Sequence, residues 1–228
     1  MLKITSVIVA ASLASVAQAG ISGNSQFYDD VQNDLFDADL GNLDILSGQV
    51  SDDGTNITFL VETRDYAIWT KFMLFIDVRA GGTSSNGWGR PVNLTSDIDY
   101  FVGSWIDQTS NNSQYWGYSG GQWNLDATFT NFVTTGSSTG GNTVSWTIPL
   151  GVLGLSGGET IYFDIATSAA NGSDPGVDHL SRQTIATPGW GTASTSGTFL
   201  EYQVSGGVPA PGAIALLGLA GLAGRRRR

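Results

Sequence analysis

Two tryptophans in this chain stand between glycines and outside any strand pattern, which makes them the strongest candidates for contact with a ligand. Trp88 lies in Asn86-Gly-Trp-Gly-Arg90, and Trp190 lies in Pro188-Gly-Trp-Gly191. A flat indole ring on a loop can stack on a sugar ring and keep its ring N–H for a hydrogen bond. Arg90 can add a fork of hydrogen bonds to hydroxyls or to a uronate. The alternative is that both rings only cap one end of the fold.

A second aromatic surface is predicted around Trp116 and Trp123. Trp116 and Tyr118 share one side of a predicted strand, and Trp123 returns on the next strand. Aromatic side chains that face each other across neighbouring strands stabilise a sheet. We therefore expect these rings to support strand pairing, with ligand binding as the alternative.

Acidic residues offer the other chemistry. Asp97 and Asp99 would project to one side of an extended segment, and a loop rich in oxygen ligands carries Asp174 and Asp178. Hard oxygen ligands suit calcium, although neither segment has the spacing of an EF-hand. If calcium binds, we expect Asp174 or Asp178 to take part, with Asp97 or Asp99 as further candidates. Solvated loop acids are the alternative.

Catalysis has little support in the sequence. The chain has a single histidine, His179, and no cysteine, and it lacks the Gly-x-Ser-x-Gly elbow of a serine hydrolase. We therefore expect no catalytic residue and a protein that is not an enzyme. A carbohydrate-active hydrolase with paired carboxylates is the alternative; its candidate acids are Asp77, Asp97, Asp99 and Glu159.

The segments that must position these residues are predicted to be β-strands. Clusters of Gly, Ser, Thr and Asn recur about every ten residues between short β-branched and aromatic runs, which predicts an all-β fold. We expect an antiparallel β-sandwich of jelly-roll type. Residues 71–78 are almost continuously apolar, which predicts a strand with both faces covered. Trp146 is expected in the core and Trp105 is expected to be packed. The predicted strands are 44–51, 56–63, 71–77, 99–107, 113–118, 122–126, 143–148, 160–167 and 198–204.

The amino end is typical of export. A positive start is followed by an apolar run over residues 4–16 and by the small residues Ala17 and Ala19. This order describes a secretory signal peptide over residues 1–19, with cleavage before Gly20. One domain is expected over residues 20–207, with its ordered core at about 42–204.

The carboxyl end carries three signals in a fixed order. A hinge over residues 208–212 leads into an apolar helix over 213–224, and the chain stops on four arginines: Arg225, Arg226, Arg227 and Arg228. Crossing a bilayer takes roughly twenty apolar residues, so this span is marginal. The arginines would keep their end on the cytoplasmic side. We expect a transient inner-membrane anchor, with a retained short membrane helix as the alternative.

The tail resembles the PEP-CTERM sorting signal of exported bacterial proteins. Val208, Pro209 and Pro211 match the usual Val-Pro-Glu-Pro, and Ala210 replaces the glutamate. The resemblance implies an exosortase-type processing enzyme as partner. It also implies a final location at the cell surface or outside the cell.

The domain resembles β-sandwich modules similar to family 9 carbohydrate-binding modules and DOMON-like domains. The segments that carry this resemblance are residues 42–63, 99–105, 145–150 and 162–167. The resemblance implies that a sugar would bind between aromatic side chains and that calcium is a possible structural ion.

Charge narrows the choice of partner. Residues 20–207 contain all twenty acidic residues and five basic ones, a net charge of −15. Nucleic acid is not expected as a partner, because phosphate binding depends on Lys and Arg. An acidic exported domain suits divalent cations or uncharged polymers. We expect a cell-surface or extracellular-matrix protein with exopolysaccharide as candidate partner; the alternative without enzymatic activity is a purely structural matrix protein with no ligand.

Overall fold

The β-branched and aromatic runs form strands. The computed structural model of the chain describes residues 23–106, 111–126, 133–135 and 142–206. Fourteen strands form within these residues: β1 (Ser25–Asp29), β2 (Ile45–Asp52), β3 (Asn56–Thr63), β4 (Lys71–Asp77), β5 (Val92–Asn93), β6 (Tyr100–Ile106), β7 (Asn111–Ser119), β8 (Gln122–Leu125), β9 (Val133–Thr135), β10 (Thr143–Pro149), β11 (Thr160–Ser168), β12 (Asp178–His179), β13 (Ser194–Thr195) and β14 (Leu200–Gln203).

The strands form two antiparallel sheets and one small parallel pair. The smaller sheet has the order β1-β2-β3-β10-β9. The larger sheet has the order β12-β11-β4-β6-β7-β8, and β14 also pairs with β11. Strands β5 and β13 form the parallel pair. The described chain is therefore all-β with antiparallel main sheets, as predicted.

The nine predicted strands are confirmed, each within two residues at both ends. Two predicted hairpin turns also form, and their glycines adopt the positive φ that a tight turn needs: 78° at Gly54 and 62° at Gly120. Helical structure in the described chain is limited to two short 3-10 turns, Gly41–Leu43 and Leu150–Leu153. None of the described residues forms a helix long and apolar enough to cross a membrane.

The core lies between the two sheets. Phe59 of the smaller sheet meets Phe163 of the larger one with ring centroids 5.3 Å apart, and Trp146 meets Phe72 at 6.3 Å. Trp146 is fully buried, which confirms its predicted place. Its indole N–H donates to the Ser104 hydroxyl at 2.6 Å, so one hydrogen bond also crosses between the sheets.

The larger sheet is covered on both faces, as the apolar run of β4 predicted. Phe72, Leu74 and Ile76 join the core between the sheets, whereas Met73 and Phe75 lie on the opposite side in a second buried cluster. The side toward the smaller sheet is called the inner face below, and the other side is called the outer face. The outer face is covered by loops and by the short strand β5, which bring Ile98, Phe199 and Val92 onto it.

The fold begins earlier than the predicted ordered core at residue 42. Strand β1 pairs with β2, and the ring of Tyr28 packs edge-on against Phe163 at 5.2 Å. The Tyr28 hydroxyl donates to the carbonyl oxygen of Glu201 at 2.7 Å. Leu35, further along the same segment, is 5 % exposed. Residues 23–41 are thus an integral part of the packed structure.

Candidate functional site

Trp88 is seated on the outer face of the larger sheet by a glycine beneath it. A Cβ atom at Gly103 in β6 would lie 2.2 Å from two carbon atoms of the indole ring, which no real side chain tolerates. The absence of a side chain therefore lets the ring lie against the strand. Phe101 packs edge-on to the same ring, with centroids 5.4 Å apart.

Polar groups fix the orientation of this ring. The indole N–H of Trp88 donates to the Oε1 atom of Gln114 in β7 at 2.7 Å. The Arg90 guanidinium lies over the ring, 5.3 Å from its centroid, at the distance of a cation–π contact. Trp88 is partly buried, so part of its surface still faces solvent.

Trp88 and Trp105 line an open cleft, called the aromatic cleft here. Their ring centroids are 6.5 Å apart and their planes are inclined by 35°, so the two rings are neighbours in a tilted arrangement. Trp105 was expected to be packed, but it is only partly buried. The cleft has a volume of about 300 Å³, at the small end of ligand sites. Its lining residues are Lys71, Trp88, Arg90, Trp105, Gln114 and Gly172.

Arg90 lines the aromatic cleft, but its guanidinium is used inside the protein. Its Nη1 atom donates to the Ser168 hydroxyl at 2.7 Å and to the carbonyl oxygens of Asn171 and Asp174 at 2.8 and 3.3 Å. Arg90 is 6 % exposed, and burial lowers its pKa, against the opposing effect of Asp174. The expected fork of hydrogen bonds to a ligand is therefore replaced by a fork that holds the loop at the cleft wall.

The other candidate tryptophans lie elsewhere. Trp190 is 40 % exposed and meets Phe36 edge-on at 5.2 Å, outside the residues that line the aromatic cleft. Trp116 packs against the outer-face cluster, and its buried indole N–H finds no acceptor among the residues that the structure describes. Trp123 stands opposite Tyr118, with ring centroids 5.4 Å apart in an edge-to-face contact. The predicted cross-strand pairing of Trp123 is thus present.

The structure separates the four acids proposed for calcium. Asp99 is buried and accepts hydrogen bonds from the backbone N–H groups of Val78 and Arg79, and its other oxygen lies 3.2 Å from the Arg79 guanidinium. Asp97 is exposed. Asp174 accepts a hydrogen bond from the backbone of Asn171 at 2.8 Å. Among the described residues, Asp97, Asp99 and Asp174 do not belong to any group of three or more acids that are close enough to bind one metal ion.

Asp178 does belong to such a group, together with Asp30 and Asp34. The sequence does not predict these two partners, because the polar segment before residue 42 is expected to lie outside the ordered core. Burial, with a smaller contribution from neighbouring carboxylates, raises the pKa of Asp30 to about 8 and that of Asp34 to about 6. Burial also raises the pKa of Asp178 well above its ordinary value. The sequence feature that could have indicated this group is the spacing of Asp30 and Asp34, four residues apart and just before the apolar pair Leu35-Phe36.

The single histidine lies in a chain of contacts ordered like a catalytic triad. His179 Nδ1 is 2.6 Å from Asp164 Oδ2, and His179 Nε2 is 3.1 Å from the Ser194 hydroxyl. All three residues have 0 % exposure. A Cβ atom at Gly176 would lie 2.6 Å from His179 Nε2, so backbone closes over the contact. The arrangement offers no exposed nucleophile and instead ties β12 and β13 to β11.

The acids proposed for hydrolysis are only partly brought together. Asp77 lines an open groove of about 400 Å³ that also contains Glu201 and Tyr162. Burial, and more weakly Asp99 and Asp97, raise the pKa of Asp77. Glu159 instead binds the backbone N–H groups of Ser156 and Gly157, in a turn outside that groove.

Comparisons with known proteins give no match to a family model, a curated protein or a solved structure. The residues proposed for export and sorting lie outside the described residues. They are Ala17, Ala19, Val208, Pro209, Pro211, Arg225, Arg226, Arg227 and Arg228.

Proposed function

We propose that this chain is an exported cell-surface or extracellular-matrix protein whose jelly-roll-like β-sandwich binds polysaccharide, without catalysis, at the aromatic cleft. The observation that carries the proposal is the pair of partly exposed indole rings of Trp88 and Trp105. The exposed parts of two neighbouring indole rings give a sugar ring apolar contact area, and the polar groups beside them can bond its hydroxyls.

The charges around the aromatic cleft favour neutral or uronate-containing polymers. Two of the domain's five basic residues, Lys71 and Arg90, line it. The domain as a whole carries a net charge of −15. These two positive charges reduce the repulsion that an anionic sugar would meet at the aromatic cleft of this acidic domain. The side-chain oxygen of Gln114 accepts the hydrogen bond from Trp88. Its amide nitrogen carries two further N–H donors.

Affinity electrophoresis against a panel of neutral and uronate-containing polysaccharides tests this function. We expect the full chain to be retarded by at least one polymer, and Trp105→Ala to weaken that binding by about tenfold or more. The matched control is Trp190→Ala, which removes an exposed indole that does not line the aromatic cleft. Trp105 is the better probe than Trp88, because Trp88 also covers Gly103.

Three outcomes separate the alternatives. Retardation that is lost in Trp105→Ala and kept in Trp190→Ala supports the aromatic cleft. Equal retardation of both variants contradicts it. A wild-type chain that no polymer retards contradicts polysaccharide binding and favours a purely structural matrix protein.

A hydrolase is the second candidate, and the groove at Asp77 is the observation that favours it. A carboxyl group with a raised pKa is what a general acid requires, and Glu201 supplies a second carboxylate in the same groove. Release of new reducing ends from a polysaccharide, abolished by Asp77→Asn, would establish that activity. The absence of release from polymers that the protein does bind would rule it out for those polymers.

We further propose that residues 1–19 direct export and that residues 208–228 anchor the chain in the inner membrane until an exosortase-type enzyme processes it. The order of hinge, short apolar run and arginines supports this. When the full sequence is expressed, the protein is expected outside the inner membrane. Its mass is expected to equal that of the chain without the tail. A version that ends at Gly207 and reaches the same place with the same mass would contradict a role for the tail. Replacing Pro209 and Pro211 together by alanine tests the hinge.

A further inference from the structure

The group formed by Asp30, Asp34 and Asp178, called the carboxylate cluster here, contains buried oxygens that accept no hydrogen bond from the described residues. One carboxylate oxygen from each residue lies within 4.8 Å of the other two. Asp34 is only 8 % exposed, and neither of its carboxylate oxygens has a hydrogen-bond donor within the described part of the chain. In the same residues, Oδ2 of Asp30 is also buried and has no donor.

Other buried carboxylates in the same chain are fully compensated. Asp44 lies 2.6 Å from the Arg64 guanidinium and also accepts the backbone N–H of Asn33 at 3.0 Å. Asp52 accepts the Tyr202 hydroxyl at 2.6 Å. A buried, ionised carboxylate without such donors destabilises the folded protein. The carboxylate cluster departs from the way this protein treats its other acids.

The charges around the carboxylate cluster do not supply the missing partner. Arg182 lowers the pKa of Asp34 electrostatically, but its guanidinium donates to the carbonyl oxygens of Thr184 and Thr195. Two further acids, Asp44 and Asp164, make the potential at the carboxylate cluster more negative. The residue after Asp178 in the chain is His179.

We propose that Asp30, Asp34 and Asp178 are ligands of one divalent cation, with calcium as the best fit. Oxygens bound to one calcium at about 2.4 Å can be at most about 4.8 Å apart, which the carboxylate cluster satisfies. Asp178 is already fixed, because its oxygens accept the backbone N–H groups of Ile45 and His179 at 2.7 and 2.8 Å. Asp30 and Asp34 come from the segment after β1. The ion therefore fastens the amino-terminal segment to β12, and this role does not involve the aromatic cleft.

Thermal unfolding of the full chain, stripped with EDTA and then supplied with calcium or magnesium chloride, tests the site. Calcium at about one hundred times its dissociation constant is expected to raise Tm by about 5–10 °C. Asp34→Asn should lose this shift, yet in EDTA its Tm should equal or exceed that of the wild type. The reason is that a neutral amide replaces an unpartnered carboxylate. Asp39→Asn is the matched control, because Asp39 is exposed in the same segment, and it should keep the full calcium shift.

Several results would overturn the site. A wild-type chain whose Tm does not respond to calcium, and which neither releases nor absorbs heat on calcium titration, does not bind the ion. A calcium shift that persists in Asp34→Asn places the ion elsewhere. A response to magnesium alone contradicts calcium as the ion. If Asp34→Asn fails to fold, Asp30→Asn gives the same comparison, and titration of the wild type needs no variant.

Discussion

Tryptophan side chains pack against both the inner and the outer face of the larger sheet, but they differ in their exposure to solvent. On the inner face Trp146 is fully buried, and its indole N–H donates to the buried Ser104. On the outer face Trp88 and Trp105 are partly exposed, and the indole N–H of Trp88 donates to the partly buried Gln114. The residue type and the hydrogen-bond pattern are alike, while solvent access differs.

The difference comes from what covers each face. The inner face meets a second sheet, whose regular side-chain spacing fills the space between them. The outer face meets loops, which bury Met73 and Phe75 but leave the aromatic cleft open at Trp88 and Trp105. A tryptophan that packs against the larger sheet is thus buried or accessible according to the layer that covers that face, and the mutations below test this distinction.

The largest expected effect is on the inner face. Trp146→Ala removes a fully buried indole between the sheets and should lower the free energy of unfolding by about 3–5 kcal/mol. Trp105→Ala, on the outer face, should lower the free energy of unfolding by a smaller amount, because the Trp105 ring is partly exposed. Urea denaturation of both variants measures the difference. Equal losses would mean that the outer face is as tightly packed as the inner one.

The seat of Trp88 is the next test. Gly103→Ala places a methyl group where the indole ring lies, and overpacking of this kind costs about 1–3 kcal/mol. It should also displace Trp88 and weaken polysaccharide binding at the aromatic cleft.

Gly117→Ala is the matched control for Gly103→Ala. Its Cβ atom would meet only the Tyr100 ring at an ordinary 3.6 Å, so stability and binding should change little. Urea denaturation and affinity electrophoresis report both effects. A fully stable Gly103→Ala chain with unchanged binding would show that Trp88 is not held by this contact.

The seat of Trp88 also marks the limit of prediction from the sequence. Local alternation placed Trp146 in the core, and the apolar run of β4 indicated a doubly covered strand; both follow from the period of a strand. The position of Trp88 depends on a missing side chain in β6, to which no local pattern points. Arg90 was assigned correctly to the neighbourhood of Trp88, but its hydrogen bonds go to the loop that holds Asn171 and Asp174.

The carboxylate cluster was missed for a related reason. Strand β1 has four exposed residues out of five and so lacks the alternation of a half-buried strand. Its place is set by pairing with β2, which a single-sequence pattern does not reveal. Asp178 could be predicted as a calcium candidate from its oxygen-rich loop, whereas Asp30 and Asp34 depend on this long-range pairing.

The two indole hydrogen bonds give a smaller, matched test. Ser104→Ala leaves the Trp146 N–H buried without a partner, which should cost about 1–2 kcal/mol. Gln114→Ala removes the partner of the Trp88 N–H, which is partly buried and can turn to water, so the cost should be about 0.5 kcal/mol. Urea denaturation of both variants decides whether the two faces differ in this way. A cost for Gln114→Ala that matched that of Ser104→Ala would place Trp88 in an equally dry environment.

The smallest effect concerns the far edge of the outer face, where Tyr118 and Trp123 face each other across β7 and β8. Their edge-to-face contact at 5.4 Å should give a coupling free energy of about 0.5–1 kcal/mol in a double-mutant cycle of alanine variants. A cycle between Trp123 and the distant Trp190 should give a coupling near zero. If Tyr118 and Trp123 also show no coupling, the edge rings do not stabilise the hairpin, and ligand contact becomes the better explanation for Trp123. If the coupling is present and polysaccharide binding survives in Trp123→Ala, the accessible part of the outer face is confined to the aromatic cleft.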